Sequence, residues 1–306
     1  MTYAVSSASH TALAALRSIS NDISESSTRI ATGKKINGPG DGAAYWSVAT
    51  KLDSQIGALN EVKSTIGLGK TTVSTAIAGV EGVVSDLQEV KDLLVSATSS
   101  GADRASIQNS IADYIADMQA KANAAVANDE NLISVDSSAG GYSATSSIVA
   151  NFTSNGTAVT ITTIDIDKSV TALIDPAGGT AAGILDQDRT SGGTTVAITA
   201  IDISALTDST ADQTTLAETI AIVDAALDDA ITAGEALGVA ETRISSAENY
   251  LQALIDAKSE AVTELTAADL DEEATRLSAL QTQQQLAIEA MSIANNNMSS
   301  ILLLFR

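Results

Sequence analysis

The segment Gly67–Thr72 reads Gly-Leu-Gly-Lys-Thr-Thr, which is how a phosphate-binding loop ends. In such a loop, backbone N–H groups and a lysine bind phosphate oxygens, and the next hydroxyl binds Mg²⁺. The complete motif also needs a glycine five residues before the Gly-Lys pair and a buried strand ahead of it. Ser64 stands at that position, and Ile66 and Val73 continue a helical repeat. The spacing therefore favours glycine at a close helix contact over nucleotide binding.

Two groups of carboxylates have residue types that bind cations or transfer protons. Asp165, Asp167 and Asp202 supply oxygen ligands suited to calcium, but they do not form a loop with ligands at fixed intervals. The cluster Asp269–Glu273 contains neighbouring carboxylates of the kind used in acid–base catalysis. It also lies where a helix is predicted to begin, and helix starts favour negative charge. We interpret the first group as a solvated strand edge and the second as a helix cap.

Other residues capable of chemistry are few. Gly38–Gly42 precedes a predicted helix and has the composition of an anion-binding turn or of a flexible connector, which we favour. His10 is the only histidine, and there is no cysteine. Histidine-assisted nucleophiles, multi-histidine metal sites and thiolate sites are therefore nearly excluded. We therefore expect that the protein is not an enzyme and that it has no catalytic residue, no metal site and no cofactor.

The chain is organised around a predicted helix from Tyr45 to Ala97, in which apolar residues recur every seven positions without a proline. Tyr45 begins a row that continues as the outer seam, which is Leu52, Leu59, Ile66, Val73, Val80, Leu87 and Leu94. A second row is Val48, Val62, Ala76, Val83, Val90 and Ala97, interrupted by Gln55 and Gly69. The interruptions either weaken the stripe or fix its register. A helix of about 80 Å, at ~1.5 Å per residue, needs partner helices along its length.

Both ends of the chain are predicted to be amphipathic helices, over residues 1–33 and from about Thr266 to the end. Their apolar stripes form the terminal seam, which is Leu16, Ile19, Ile23, Ile30, Leu277, Leu280, Met291, Met298, Ile301 and Phe305. Such helices are marginal alone. We expect them to pack side by side, antiparallel, and against further copies of the chain.

Between the ends, Lys34–Gly42 is predicted to be a linker because it contains proline and several glycines. Asp103 is the predicted N-cap of a helix that ends near Asn128 and folds back on the long helix. Helical spacing resumes at Thr214 and continues to about Lys258.

Residues 131–211 are rich in Thr, Ser, Gly, Ala and Asp and contain an internal repeat. Residues 156–166 match residues 193–203, and in both copies the β-branched alternation shifts by one before Ile-Asp-Ile. This pattern predicts two strands, each with a bulge or corner at the same point. The fold class is therefore mainly α: a long antiparallel, coiled-coil-like helical bundle formed by the N- and C-terminal regions, with a small β-containing central insertion.

The composition restricts the partners. The net charge is −22, so the chain is expected to repel nucleic acid and anionic membranes. The N-terminal residues lack the basic patch and apolar core of a signal peptide. The longest apolar run, Ile301–Phe305, is too short to cross a bilayer.

Segments at both ends of the chain are similar, in the same order, to the motifs of one known family. Arg29–Asn37 is similar to the signature that ends the first helix of that family, and Gly40–Ala44 stands where the family usually has Asp-Asp-Ala-Ala. Leu87–Leu93 is similar to a segment of its long helix, and Leu277–Arg306 resembles its closing helix. By these segments, the chain resembles the bacterial flagellins. Ala43–Ser47, which reads Ala-Ala-Tyr-Trp-Ser, is most similar to flagellins of the rhizobial, alphaproteobacterial type.

The resemblance implies a structural subunit that polymerises head-to-tail into the extracellular flagellar filament used for swimming. It implies an inner core from residues 1–44 and 264–306, an outer core from 45–130 and 212–263, and a variable surface module from 131–211. It further implies export without a cleaved signal peptide. The implied partners are the chain itself, other flagellins, a flagellar export chaperone, and the hook–filament junction and cap proteins. From the charge, we expect no nucleic-acid and no membrane partner.

The resemblance also marks the segment that a host innate receptor reads in many flagellins, here Leu87, Gln88, Glu89, Val90 and Lys91. Glu89 stands where many of those proteins have arginine, so we expect weak or no recognition. Two other interpretations remain open at this point. A hook–filament junction protein or another secreted helical tip or adhesin protein would also have paired terminal helices. A nucleotide-hydrolysing enzyme would depend on Gly67–Thr72 alone.

Overall fold

The computed structural model describes residues 2–154, 158–177 and 183–304. Within these ranges, the side chains left out of the description are those of 2–9, 154, 159, 294–295 and 297–304. The helices are α1 (Thr2–Thr32), α2 (Pro39–Ala97), α3 (Arg104–Ala124), the single turn α4 (Lys168–Thr171), α5 (Thr210–Thr266) and α6 (Leu270–Leu304). The strands are β1 (Val126–Ala127), β2 (Glu130–Asn131), β3 (Thr145–Ser154), β4 (Val159–Asp167), β5 (Arg189–Ser191) and β6 (Thr194–Val196). The predicted mainly helical class with a small β-containing insertion is confirmed.

The chain divides into two compact units. The terminal unit consists of Met1–Gly57 and Ile255–Arg306, and the central unit is Ala58–Leu254. Among the described helices, none is both long enough and apolar enough to cross a membrane.

In the terminal unit, α1 and α6 pack against each other in antiparallel directions. The loop after α1 is hydrogen-bonded to the turn between α5 and α6. Lys35 N donates to Thr266 O at 2.7 Å, and Ala268 N donates to Gly33 O at 2.9 Å. Gly33 ends α1 with a positive φ of 67°, a conformation that glycine adopts without steric cost. These bonds align the two terminal helices where they begin to pair.

The linker is shorter than predicted, because α2 begins at Pro39 rather than after Gly42. Proline is tolerated in the first turn of a helix, where its missing N–H has no partner to lose. The Asp41 carboxylate accepts hydrogen bonds from Asn37 N at 2.8 Å and Gly38 N at 3.0 Å. Gly42 departs from helical φ and ψ inside α2, which agrees with the expectation that this glycine-rich segment interrupts a continuous helix.

In the central unit, α3 folds back antiparallel on α2 as predicted. Asp103 is its N-cap and accepts a hydrogen bond from Ser106 N at 3.1 Å. The predicted end at Asn128 is wrong, because α3 stops at Ala124 and the chain turns into the β1–β2 hairpin. Asn128 and Asp129 form the turn of this hairpin with φ of 53° and 60°, the values that a two-residue hairpin turn requires.

The helix α5 runs antiparallel to α2 within the central unit. It extends four residues earlier than the predicted Thr214, and it ends at Thr266 rather than near Lys258. Polar pairs cross from one helix to the other at Lys63–Gln252 (2.5 Å) and Lys70–Glu248 (3.4 Å). Because Lys63 and Lys70 are seven residues apart, both pairs lie on the same flank of α2.

The internal repeat does not form two equivalent strands. Its first copy lies mostly in β4, which pairs antiparallel with β3, while residues 155–157 lie outside the described residues. The bulge lies in β3, between Val149 and Asn151, opposite the predicted phase shift. The second copy is wrong as a long strand, because only Thr194–Val196 pairs and a 3₁₀ turn follows at Ile198–Ala200. Ile198, Ile201 and Ile203 are nevertheless buried, so the same sequence pattern forms two different structures.

Candidate assembly surfaces

The segment Gly67–Thr72 lies inside α2, so its backbone groups belong to a continuous helix and do not form a phosphate cradle. Lys70 pairs with Glu248 of α5, and the Thr71 hydroxyl donates to Gly67 O at 3.1 Å. A Cβ at Gly69 would lie 2.5 Å from Ile148 Cγ2 of β3, whereas a Cβ at Gly67 would meet nothing within 4 Å. Gly69 therefore does stand at a close contact, but the predicted helix neighbour is wrong, because the contact is made by Ile148 of strand β3.

The carboxylates that suggested metal binding or catalysis are hydrogen-bonded to neighbouring groups. Asp165 accepts from the Ser147 hydroxyl at 2.8 Å, and Asp167 and Asp202 accept from Ser169 N and Ser204 N, each at 2.9 Å. Among the described residues, no three acidic, histidine or cysteine side chains come close enough to hold a metal ion.

The cluster at the start of α6 divides into two roles. Asp269 is a cap, as expected, because its carboxylate accepts from Asp271 N at 3.0 Å and Glu272 N at 3.2 Å. Glu273 is different, since it is buried between α6 and α1. Capping therefore explains only the first residue of this cluster.

The outer seam is buried over most of its length. Leu59, Ile66, Val73, Val80, Leu87 and Leu94 are at most 2% exposed, and Leu52 is half-buried. Tyr45, which begins the row, is 58% exposed, and Val48 in the second row is also exposed. Gln55, the polar interruption, accepts a hydrogen bond from Lys258 Nζ at 2.6 Å.

The terminal seam is thinner. Leu16, Ile19, Ile23, Ile30, Leu277 and Met291 are half-buried, and Leu280 is buried. Met298 and Ile301 lie on α6, but their side chains are outside the description, and Phe305 lies outside the described residues. Leu286, Ile288 and Ile293 of α6 are each more than half exposed. A single α1–α6 pair therefore leaves apolar surface in contact with water.

A buried polar network connects α1 to α6. The Ser26 hydroxyl, on a residue only 2% exposed, donates to Glu273 Oε2 at 2.7 Å, and Arg29 Nη1 donates to Glu273 Oε1 at 3.0 Å. Arg29 also pairs with Glu25 one turn earlier on α1. The network fixes which residues of the two helices face each other, because a shift of either helix would leave a buried carboxylate without partners.

The network also has an electrostatic consequence. The hydrogen bond from Ser26, followed by those from Arg29, lowers the pKa of Glu273 against the opposing effect of burial. Because the folded-state pKa is depressed, the stabilisation is complete above the ordinary glutamate pKa and is lost as the pH falls through the folded-state pKa. Sequence reasoning missed this site. The only signal was a serine, an arginine and an acidic residue on opposite terminal helices, and their pairing depends on helix register.

The segment similar to a receptor-binding region lies on α2 in the central unit. Leu87 and Val90 are buried, whereas Gln88 and Glu89 are exposed. Lys91 pairs with Asp224 of α5 at 2.5 Å. The exposed charge at this site therefore comes from Glu89.

These features define a class of protein: a mainly helical subunit whose two chain ends form paired helices with apolar surface left uncovered. Comparison with known proteins agrees with this class. Residues 4–137 match the family described as bacterial flagellin N-terminal helical region, and residues 220–305 match bacterial flagellin C-terminal helical region. The chain belongs to the bacterial flagellin family.

Full-length relatives support the same conclusion. The chain is 33% identical to flagellin C of Rhizobium meliloti (strain 1021) over 310 residues, which covers 96% of each chain. It is 30% identical to a flagellin of Brucella melitensis over 297 residues, covering 97% of this chain and 96% of that one. The resemblance to the rhizobial, alphaproteobacterial type is confirmed. The chain is a structural filament subunit, and the alternative of a junction or tip protein is not favoured.

Proposed function

We propose that this flagellin polymerises head-to-tail through α1 and α6, with the terminal seam as the polymerisation surface. The observation that carries the proposal is the thin α1–α6 pair, which leaves Leu286, Ile288 and Ile293 exposed. Uncovered apolar surface on this scale is typical of interfaces. Heterologous contacts between identical copies produce open helical filaments, since each added subunit presents the same free surface again.

The outer seam has a different role in this proposal, which is to hold α2 against its partner helices within one subunit. Residues 1–44 and 264–306 would form the inner core, 45–130 and 212–263 the outer core, and 131–211 the surface module. The burial of Leu59–Leu94 supports an internal role for the outer seam.

The remaining features follow from the same function. The filament is extracellular, and the subunit is exported without a cleaved signal peptide and performs no catalysis. Its partners are further copies, other flagellins, an export chaperone, and the junction and cap proteins. The exposed Glu89 weakens recognition by the host innate receptor that reads the corresponding segment of many flagellins, because it presents a negative charge where an arginine is common.

Seeded polymerisation tests the central proposal. Protein lacking residues 1–35 or 270–306 is mixed with fragments of full-length filaments, and growth is followed by electron microscopy. Neither truncated chain should extend the seeds. Extension into fibres of normal form would contradict the proposed role of the terminal helices.

A point variant gives a finer test. Leu280→Ala removes a buried side chain of the terminal seam. We expect a loss of stability of about 2 kcal/mol, the lower end of the range for buried leucines, and a higher critical concentration for polymerisation. Ala279→Ser, at the exposed neighbouring position, is the matched control and should polymerise normally.

A further inference from the structure

An exposed aromatic patch lies at the start of α2 in the terminal unit. Tyr45 is 58% exposed, Trp46 is 38% exposed and Val48 is 49% exposed. Aromatic residues make up only 3% of the chain, and Trp46 is its single tryptophan. Around the helix axis, Tyr45 lies between Val48 and Trp46. The three side chains together cover somewhat less than half of the circumference of α2.

The patch continues a row that is buried elsewhere. Tyr45 is the first member of the heptad row that includes Leu52, which is half-buried, and Leu59, which is 2% exposed. The apolar stripe of α2 therefore begins before its covering helices do. Large aromatic side chains at such positions are the residues that most often dominate binding energy when a partner covers them.

We propose that the patch formed by Tyr45, Trp46 and Val48 is a contact between subunits, covered in the filament by a second copy of this chain. The proposal rests on the proposed polymerisation. It adds to that function a contact outside the terminal seam, on α2 rather than on α1 or α6.

The charge distribution favours a second copy as the occupant. The terminal unit contains twelve acidic and eight basic residues, whereas the central unit contains twenty-six acidic and eight basic residues. Two copies therefore approach each other through the terminal unit with little repulsion, while contacts between central units are opposed by their like charge. A strongly basic partner would bind the central unit in preference to this patch.

The single tryptophan allows a direct test on the full chain. Emission of Trp46 and its quenching by iodide are compared between monomer and seeded filament. We expect emission at shorter wavelength and severalfold weaker quenching in the filament. Filaments with the emission and quenching of the monomer would overturn the patch contact and leave the proposed polymerisation intact. Failure of the full chain to extend seeds would overturn both.

A crosslinking experiment identifies the occupant. Because the chain has no cysteine, Tyr45→Cys carries a photo-crosslinker at one place only. Illumination of filaments should produce covalent dimers of the chain, and illumination of dilute monomer should not. Filaments that yield only uncrosslinked chains, or adducts within one chain, would contradict a second copy as the occupant.

The contribution of Tyr45 to the stability of the filament is measured with two matched variants. Tyr45→Ala should raise the critical concentration at least about thirtyfold, as expected for an interface hot spot. Tyr250→Ala is the control, because Tyr250 is 57% exposed but lies in the central unit. Circular dichroism of both monomers verifies that the fold is retained. An equal effect of the two variants, or no effect of Tyr45→Ala, would contradict the proposal.

Discussion

Two glycines in one short segment of α2 should respond in opposite directions to the same substitution. Gly67 and Gly69 both lie in the helix interior, where glycine is less favourable than alanine by about 0.8–1.0 kcal/mol. An added methyl group at Gly67 meets nothing within 4 Å. Gly67→Ala should therefore increase the free energy of unfolding by about 0.5–1 kcal/mol.

At Gly69 the same methyl group would lie 2.5, 2.9 and 3.0 Å from three side-chain atoms of Ile148. Ile148 is only 8% exposed and is β-branched, so it has little freedom to move away. Overpacking of this kind typically costs about 1–3 kcal/mol, which exceeds the gain in helix propensity. We expect Gly69→Ala to lower the free energy of unfolding by up to about 2 kcal/mol, which is the overpacking cost less the gain in helix propensity.

The assay is urea unfolding of both variants and the unchanged chain, followed by circular dichroism at 25 °C. The difference between the two alanine variants, about 2 kcal/mol, is the quantity that tests the reasoning, because both gain the same helix propensity. If the two substitutions change stability equally, the packing of β3 on α2 at Gly69 is not as described. A second substitution, Ile148→Val in the Gly69→Ala background, should recover part of the loss by removing one methyl group.

Three further predictions concern charge. Glu273→Gln weakens the network with Ser26 and Arg29 and should raise the critical concentration for polymerisation by a factor corresponding to about 1–2 kcal/mol at neutral pH. The difference from the unchanged chain should shrink as the pH falls through the lowered pKa of Glu273. Lys121→Met leaves Asp86, which is 5% exposed, without its counter-ion, and should lower the free energy of unfolding by about 1–3 kcal/mol. Glu89→Arg should increase activation in a cell reporter assay for the host receptor.

Each of these predictions has a control in the chain. Glu272→Gln alters an exposed neighbour of Glu273 and should leave polymerisation unchanged at every pH. A pH-independent difference for Glu273→Gln would show that its charge is not responsible. Asp117→Asn removes the exposed partner of Lys121 and should cost less than Lys121→Met. A strong receptor response to the unchanged chain would contradict the role given to Glu89.

Sequence periodicity alone predicted the helices, because an apolar repeat of seven can be satisfied only by one face of a helix over such lengths. The outer seam from Leu59 to Leu94 is buried, and Asp103 caps α3 as its type and position indicated. The helix ends were predicted less accurately. Helix α3 stops four residues before the predicted end, because Asn128 and Asp129 form a hairpin turn. Local sequence patterns do not decide between a last helical turn and a tight hairpin, since both can accept the same residues.

Contacts between distant segments were decided by the tertiary structure. The two copies of the repeat have nearly the same pattern, yet one forms β4 and the other a short strand and a 3₁₀ turn, because only the first pairs with β3. The network of Ser26, Arg29 and Glu273 joins residues 244 and 247 positions apart in sequence, and its pairing depends on the register of α1 against α6. Tyr45 belongs to the apolar row by sequence but is exposed. Periodicity determines which face of a helix is apolar, whereas the covering of that face depends on where the partner helices end.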